Sequence, residues 1–256
     1  HRNPVHDMVL HRAETHAPLW LTLFSLPFAM GVARASGEWP QWPRWWLAMW
    51  LALVTHPLLD AMTVYGTQLA LPFSSHPFGV GSVFIIDPLY TLPLLAGTGW
   101  ALAARGGGRS AAANAAGLLL STAYLGWGVV AQAQVERVAR ESLAAQGIAA
   151  ERVLVTPTAF NTVLWRVVAV QGDAYFEGFR SLRDVSSRMD FERFPRGRAL
   201  AAELQGHDGL ARIAAFSKGF YRLQEADGRV LLTDLRMGQE PNYTFSFVIA
   251  RRASPP

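Results

Sequence analysis

The chain of 256 residues contains no cysteine, which excludes disulfides, thiolate chemistry and every zinc site built on sulfur. Lysine is nearly absent as well. Lys218 is the single one, so arginine carries almost all the positive charge behind a formal net charge of +4. Those arginines are scattered rather than gathered into a stripe, which argues against a nucleic-acid-binding face. Charge of either sign is scarce, at 16% of residues against 51% hydrophobic, a balance that leans towards a membrane protein. Nine tryptophans point the same way, because their amphipathic rings favour membrane interfaces. The chain opens on His1 rather than Met, as a fragment or a processed form does. It shows no signal-peptide pattern, internal repeat or low-complexity stretch.

Four apolar stretches follow one another at 17–33, 45–65, 82–104 and 111–131. At ~20 residues each, all but the first reach the length a helix needs to cross a bilayer. The connection 34–44, with Trp39, Pro40, Trp42 and Pro43, reads as an interfacial turn, and the tryptophans from 39 to 50 read as an aromatic belt. The segment from Arg105 to Arg109 reads as a short flexible turn. From Gln132 an amphipathic helix leaves the membrane, and Gly147 ends it. The expected architecture is therefore an α-helical polytopic membrane domain with about four spans, followed by a small soluble α+β domain. Its parts are a membrane domain at 1–134, an amphipathic linker helix at 135–150 and the α+β domain at 151–256. Within the last, VLWRVVAV and AYFEGFRSL predict a hairpin turning at Gly172-Asp173, and YRLQEADGRVLLTD predicts a second. YTFSFVIARR alternates as a further strand, and Asp208 to Phe216 reads as a short helix.

Charge predicts orientation. Arg34, Arg44, Arg105 and Arg109 fall on one side of a four-span arrangement, whereas the 66–81 connection holds no Arg or Lys. The positive-inside rule makes the first side cytoplasmic and the C-terminal domain periplasmic, with Arg2, Arg12, Arg137 and Arg140 counting the other way.

The ionisable residues inside this apolar frame carry the functional signal. His56 and Asp60 are spaced i, i+4 and share one helix face. Asp87 stands near the start of the third stretch, and His11 and His16 stand just before the first. Under four-span topology all five fall at one membrane depth, where ionisable groups normally face a partner, an ion or a cavity. Histidines with carboxylates suit Zn²⁺ or Mn²⁺. His11, His16, His56, Asp60 and Asp87 are accordingly candidate metal ligands, with Asp87 as ligand or general base and Arg12 placed to hold an anionic oxygen. Blander readings stand beside these. His-x-x-x-Asp alone is more often a helix-stabilising hydrogen bond, and Thr15-His16 alone is an N-cap about half the time. Tyr65, Gln68 and Tyr90 read as partners for buried polar groups rather than as site residues, and His6, His76 and His207 as surface or loop residues.

At these positions the chain resembles a bacterial family of LexA-regulated, membrane-bound, predicted metal-dependent hydrolases. The resemblance rests on His11-Arg12 with Thr15-His16, on His56-Pro57-Leu58-Leu59-Asp60, on Tyr65-Gly66-Thr67-Gln68, on Leu71-Pro72-Phe73-Ser74, and on the run from Val83 to Leu92 around Asp87. It extends to Pro157-Thr158, to Asn161 through Arg166, and to Asp234 through Gly238. The chain departs from the family pattern at Ala13 and Ala17, where glycine and serine are usual, and at His76-Pro77, where a basic pair is common. The resemblance implies a multi-pass inner-membrane protein whose site is formed at His11, His16, His56, Asp60 and Asp87. A remote similarity of the His-x-x-x-Asp arrangement to zinc-dependent phospholipase C implies a phosphoester substrate. The expected function is a membrane-embedded metal-dependent hydrolase of an ester or phosphoester, lipid-linked, acting by metal-activated water. The alternative is a non-enzymatic membrane protein with a structural polar cluster and a partner-binding C-terminal domain.

Overall fold

The structure, a computed structural model, describes residues 4–104 and 107–251. Expectations that rest on His1, Arg2 and Arg105 lie outside the described residues. In chain order the helices are α1 (Pro4–Leu10), α2 (Pro18–Ala35), α3 (Trp42–Met62), α4 (Pro88–Ala103), α5 (Gly108–Ala145), α6 (Arg198–Glu203) and α7 (Asp208–Phe216). The strands are β1 (Arg152–Pro157), β2 (Leu164–Gln171), β3 (Ala174–Ser181), β4 (Glu192–Pro195), β5 (Tyr221–Ala226), β6 (Arg229–Asp234), β7 (Gly238–Gln239), β8 (Asn242–Tyr243) and β9 (Ser246–Arg251). A helical N-terminal region is thus followed by a β-rich C-terminal region.

Two helices among the described residues, α2 and α5, are long and apolar enough to cross a membrane, where the sequence predicted about four. The shortfall has physical causes. Residues 82–87 are not helical, which leaves α4 with 16 residues, or a rise of about 24 Å against a ~30 Å hydrocarbon core. The 21 residues of α3 are long enough, but four tryptophans, two prolines, Arg44, His56 and Asp60 dilute their apolarity.

The chain divides into two compact units, His1–Val80 with Gly197–Pro256, and Gly81–Arg196. These limits differ from the predicted breaks at 134 and 150, because α5 runs unbroken through 134 and the expected linker helix is its own C-terminal third. Gln146 caps it and Gly147, at φ 71°, turns the chain away; the Ile148 N–H then bonds back to the Leu143 carbonyl, satisfying an end carbonyl.

In the 81–196 unit α5 changes character along its length. Leu118, Leu119 and Leu120 are exposed, whereas Val135 and Ala139 pack with Val155, Trp165 and Val167 of the four-stranded antiparallel sheet β1-β2-β3-β4. The predicted β2–β3 hairpin forms with Gln171 opposite Ala174, so Gly172 and Asp173 make a two-residue turn. At the other end α4 packs on α5 through glycines. A Cβ at Gly117 would collide with the Pro93 carbonyl oxygen, and one at Gly97 would lie 2.8 Å from that of Ala113. Small residues let membrane-type helices approach this closely. Gly117→Val is expected to force the pair apart and destabilise the detergent-solubilised protein by about 1–3 kcal/mol, the usual scale of overpacking; thermal unfolding measures it.

In the other unit α2 and α3 pair through polar contacts. The indole N–H of Trp46 donates to Ser25 Oγ at 3.0 Å and that of Trp50 to Thr22 Oγ1 at 3.0 Å. The tryptophans read as an interfacial belt are thus partly interhelical donors. The C-terminal part supplies the sheet β5-β6-β9, whose β5–β6 hairpin turns at Asp227-Gly228 with φ 52° and 66°, as a type I′ turn requires. Helices α7 and α1 pack on it, with Val5 and Met8 joining Leu210, Ile213, Phe216 and Leu232 in one core. Helix α7 spans the predicted residues; α1 was not foreseen.

Candidate metal centre

The site is built outward from α1. Two carbonyls of its last turn, on Met8 and Val9, would lack intrahelical partners. The Tyr65 hydroxyl donates to the Met8 oxygen at 2.6 Å and the Gln68 side-chain amide to the Val9 oxygen at 3.0 Å. Tyr65 and Gln68 are therefore structural caps, as the sequence suggested. The Gln68 backbone N–H bonds the Arg12 carbonyl at 2.9 Å, which fixes the start of the next turn.

Arg12 is 6% exposed and points at the end of α3. Its guanidinium donates to Thr63 Oγ1 at 2.9 Å and to the Asp60 carbonyl at 3.2 Å, and it meets Asp60 Oδ1 at 3.2 Å. Burial lowers the Arg12 pKa, and the Asp60 carboxylate opposes that effect. The sequence reading placed Arg12 to hold an anionic oxygen beside the metal; in the structure it clamps one carboxylate oxygen of Asp60 and the turn that follows.

Clamping Oδ1 leaves Oδ2 facing the histidines. His16 Nε2 lies 3.2 Å from it and His56 Nε2 lies 3.4 Å from it, with the ring centroids 4.7 Å apart. The antiparallel α2–α3 pair makes this possible: His16 ends the short 3-10 turn Glu14–His16 just before α2, and His56 and Asp60 occupy the last two turns of α3. Four-coordinate zinc with bonds of about 2.0–2.1 Å has tetrahedral edges of roughly 3.3–3.4 Å, close to the two histidine–carboxylate separations, while the three ligand atoms together lie within 4.8 Å of one another. Thr15 Oγ1 stands 2.9 Å from His16 Nδ1 and can accept its proton, which leaves Nε2 free to coordinate. His16 has its pKa lowered, first by burial and then by His56, against the pull of Asp60. It is neutral at pH 7, the form a metal binds. His16, His56 and Asp60 could together hold a divalent ion.

The other two predicted ligands have partners of their own. His11 is exposed and its ring meets the edge of Tyr65, 6.0 Å between centroids. Asp87 belongs to the other unit, where it N-caps α4: Oδ1 accepts the Leu89 N–H at 3.0 Å and Oδ2 accepts the Tyr124 hydroxyl at 2.9 Å. Thr162, in the β1–β2 connection, donates to that tyrosine at 3.1 Å. Thr15, Thr63 and Thr162 were missed as supporting residues; a threonine beside a predicted ligand is the only signal that pointed to the first.

Fold and site together define a helical membrane-type protein with a carboxylate and two histidines gathered at one end of a helix pair. Residues 2–135 match the family described as YdjM inner membrane protein, just over half of the chain, and the chain belongs to that family. No curated protein and no solved structure matches it.

Proposed function

We propose that the protein is a membrane-embedded metal-dependent hydrolase whose ion is held by His16, His56 and Asp60. The supporting observation is the convergence of two neutral-capable Nε2 atoms on one oxygen of a carboxylate whose other oxygen is already clamped by arginine. Of the other candidates, His11 lies against Tyr65 and Asp87 caps α4. Three protein ligands leave a position open for water or substrate, as in catalytic rather than structural zinc sites. When bound, zinc (or manganese) acidifies that water and polarises an ester or phosphoryl oxygen. The chain's own part is positional. Arg12 and Thr63 hold Asp60, Thr15 sets the His16 tautomer, and α3 holds His56 one turn from Asp60. The substrate is an ester or phosphoester, and the membrane supplies it.

The same reading makes the protein multi-pass. Leu47, Leu51 and Leu58 on α3, and Leu92, Leu95 and Trp100 on α4, are exposed, which supports lipid contact by these helices besides α2 and α5. The arginine distribution supports a periplasmic C-terminal region. A second reading, a structural polar knot in a non-enzymatic protein, is favoured by the completed Arg12–Asp60 pair.

Metal content separates the two. Full-length protein purified in detergent is expected to carry about one equivalent of zinc or manganese, lost in His16→Ala and His56→Ala while both variants still insert. It should also hydrolyse a phosphoester or lipid-ester substrate in a chelator-sensitive way. Wild-type protein that takes up no divalent ion even after incubation sinks the hydrolase reading. Acidification adds an independent check. Because His16 binds a proton less tightly than an ordinary histidine at 6.5, proton competition at this ligand sets in only below that pH. Equilibrium dialysis should therefore show metal retained at neutral pH and released as the pH falls below the ordinary histidine range.

A further inference from the structure

An apolar groove of about 620 Å³ lies between α2 and α3, lined by Leu21, Phe24, Phe28, Met49 and Leu53. A second, of about 500 Å³, shares Leu21 and Phe24 with it and ends at Glu14 and Thr15 beside Trp20. The two grooves adjoin at the Leu21 and Phe24 side chains. The polar end of the second is one hydrogen bond from the candidate metal centre, since Thr15 lines it and Thr15 Oγ1 contacts His16 Nδ1 at 2.9 Å.

We propose that these adjoining grooves seat one acyl chain of a membrane phospholipid and thereby present the lipid's ester or phosphoester linkage to His16, His56 and Asp60. The inference rests on the hydrolase reading for its consequence, and on the grooves themselves for the binding. Three features select an acyl chain over other occupants. The α2–α3 part of the lining contains no charged residue. From Trp20 to Phe28 the grooves follow α2 through about 12 Å of rise, a large part of the ~15 Å depth of one leaflet. Glu14 and Thr15 supply polar groups only at the end where a glycerol and headgroup would lie, with Trp20 just below them at interfacial level. The chain belongs to an inner-membrane family, so lipid is the solvent of this surface.

The probe is a phosphatidylcholine carrying a photoactivatable diazirine midway along one acyl chain. It is present in trace amount in phosphatidylethanolamine–phosphatidylglycerol vesicles that contain the full chain. After irradiation, peptide mapping should show severalfold more label at Leu21, Phe24, Met49 and Leu53 than at Leu118, Leu119 and Leu120, which are exposed on α5 and report ordinary boundary lipid. Ala52 lines the α2–α3 groove and is exposed, so Ala52→Phe fills it without disturbing a core and should remove the excess. Equal labelling of the two surfaces, or an excess untouched by Ala52→Phe, overturns the proposal. Metal content measured on the same vesicles keeps the two ideas apart. Excess labelling without bound metal upholds the groove and fails the hydrolase; bound metal with uniform labelling does the reverse.

Discussion

On the proposed metal site, Asp60→Asn is expected to abolish metal binding and to destabilise the protein at the same time. Asparagine keeps the shape but loses the charge that three partners use. On one side the amide offers a poor ligand between His16 Nε2 and His56 Nε2, at 3.2 and 3.4 Å from the native oxygen. Metal affinity should fall by more than the ~10–100-fold typical of losing an outer-shell partner. On the other side the Arg12 guanidinium, 7% exposed, loses its anion. Breaking a fully buried pair costs about 3–5 kcal/mol, and partial exposure of Asp60 brings this to roughly 2–3 kcal/mol. Isothermal titration with zinc reads the first effect and chemical denaturation of the metal-free protein reads the second. A variant that loses stability yet keeps wild-type affinity would show that Asp60 is a structural acceptor only.

The second large effect is expected far along the chain. Asp234 is fully buried and Arg236 is 4% exposed. The guanidinium grips the Asp234 carboxylate through Nε and Nη2, the closest contact being 2.6 Å, and stacks over Phe216 at 4.8 Å. Its remaining amino group donates to the Tyr65 carbonyl at 2.9 Å. Asp234→Ala therefore strands a buried cation, with an expected cost of about 3–5 kcal/mol. It also releases the segment just after α3, where Tyr65 caps α1 and Thr63 receives Arg12. The expectation is a lower melting temperature together with weaker metal binding, although Asp234 touches no ligand. Amide exchange across residues 63–68 should rise in step. Lost stability with unchanged exchange there would confine the pair to the C-terminal sheet.

Legibility in the sequence followed the range of the interaction. The β2–β3 and β5–β6 hairpins and α7 were readable because each is specified locally, by Gly-Asp and Asp-Gly turns between alternating strands and by one amphipathic run. The spans were readable in position and overcounted in number, since a hydrophobic stretch does not reveal where its helix begins. Asp87 turned out to cap α4 rather than to sit inside it, and the six residues before it are not helical. Helix α1 was invisible because only Val5 and Met8 mark its buried face, too few to show a period. Residue type and spacing singled out His16, His56 and Asp60, which the structure places together, as candidate ligands. The role of Arg12 was not readable, because it depends on Gln68 and Tyr65 fixing a turn more than fifty positions earlier. Asp234 and Arg236 were noticed only as part of a family-like run, since a pair spaced i, i+2 at a strand end has no periodic signature.

One rod, α5, carries a further consequence. Its 38 residues contain no proline and no break, so its exposed apolar half and the sheet packed on its other half share a single helical phase. Each residue advances that phase by about 100°. A change of one residue in the length of α5 would swing β1–β4 a quarter-turn or more about the helix axis, whereas a change of seven would return them within about 20°. The length of this helix therefore works as an angular setting, and relatives that lengthen or shorten it should do so in steps near whole turns.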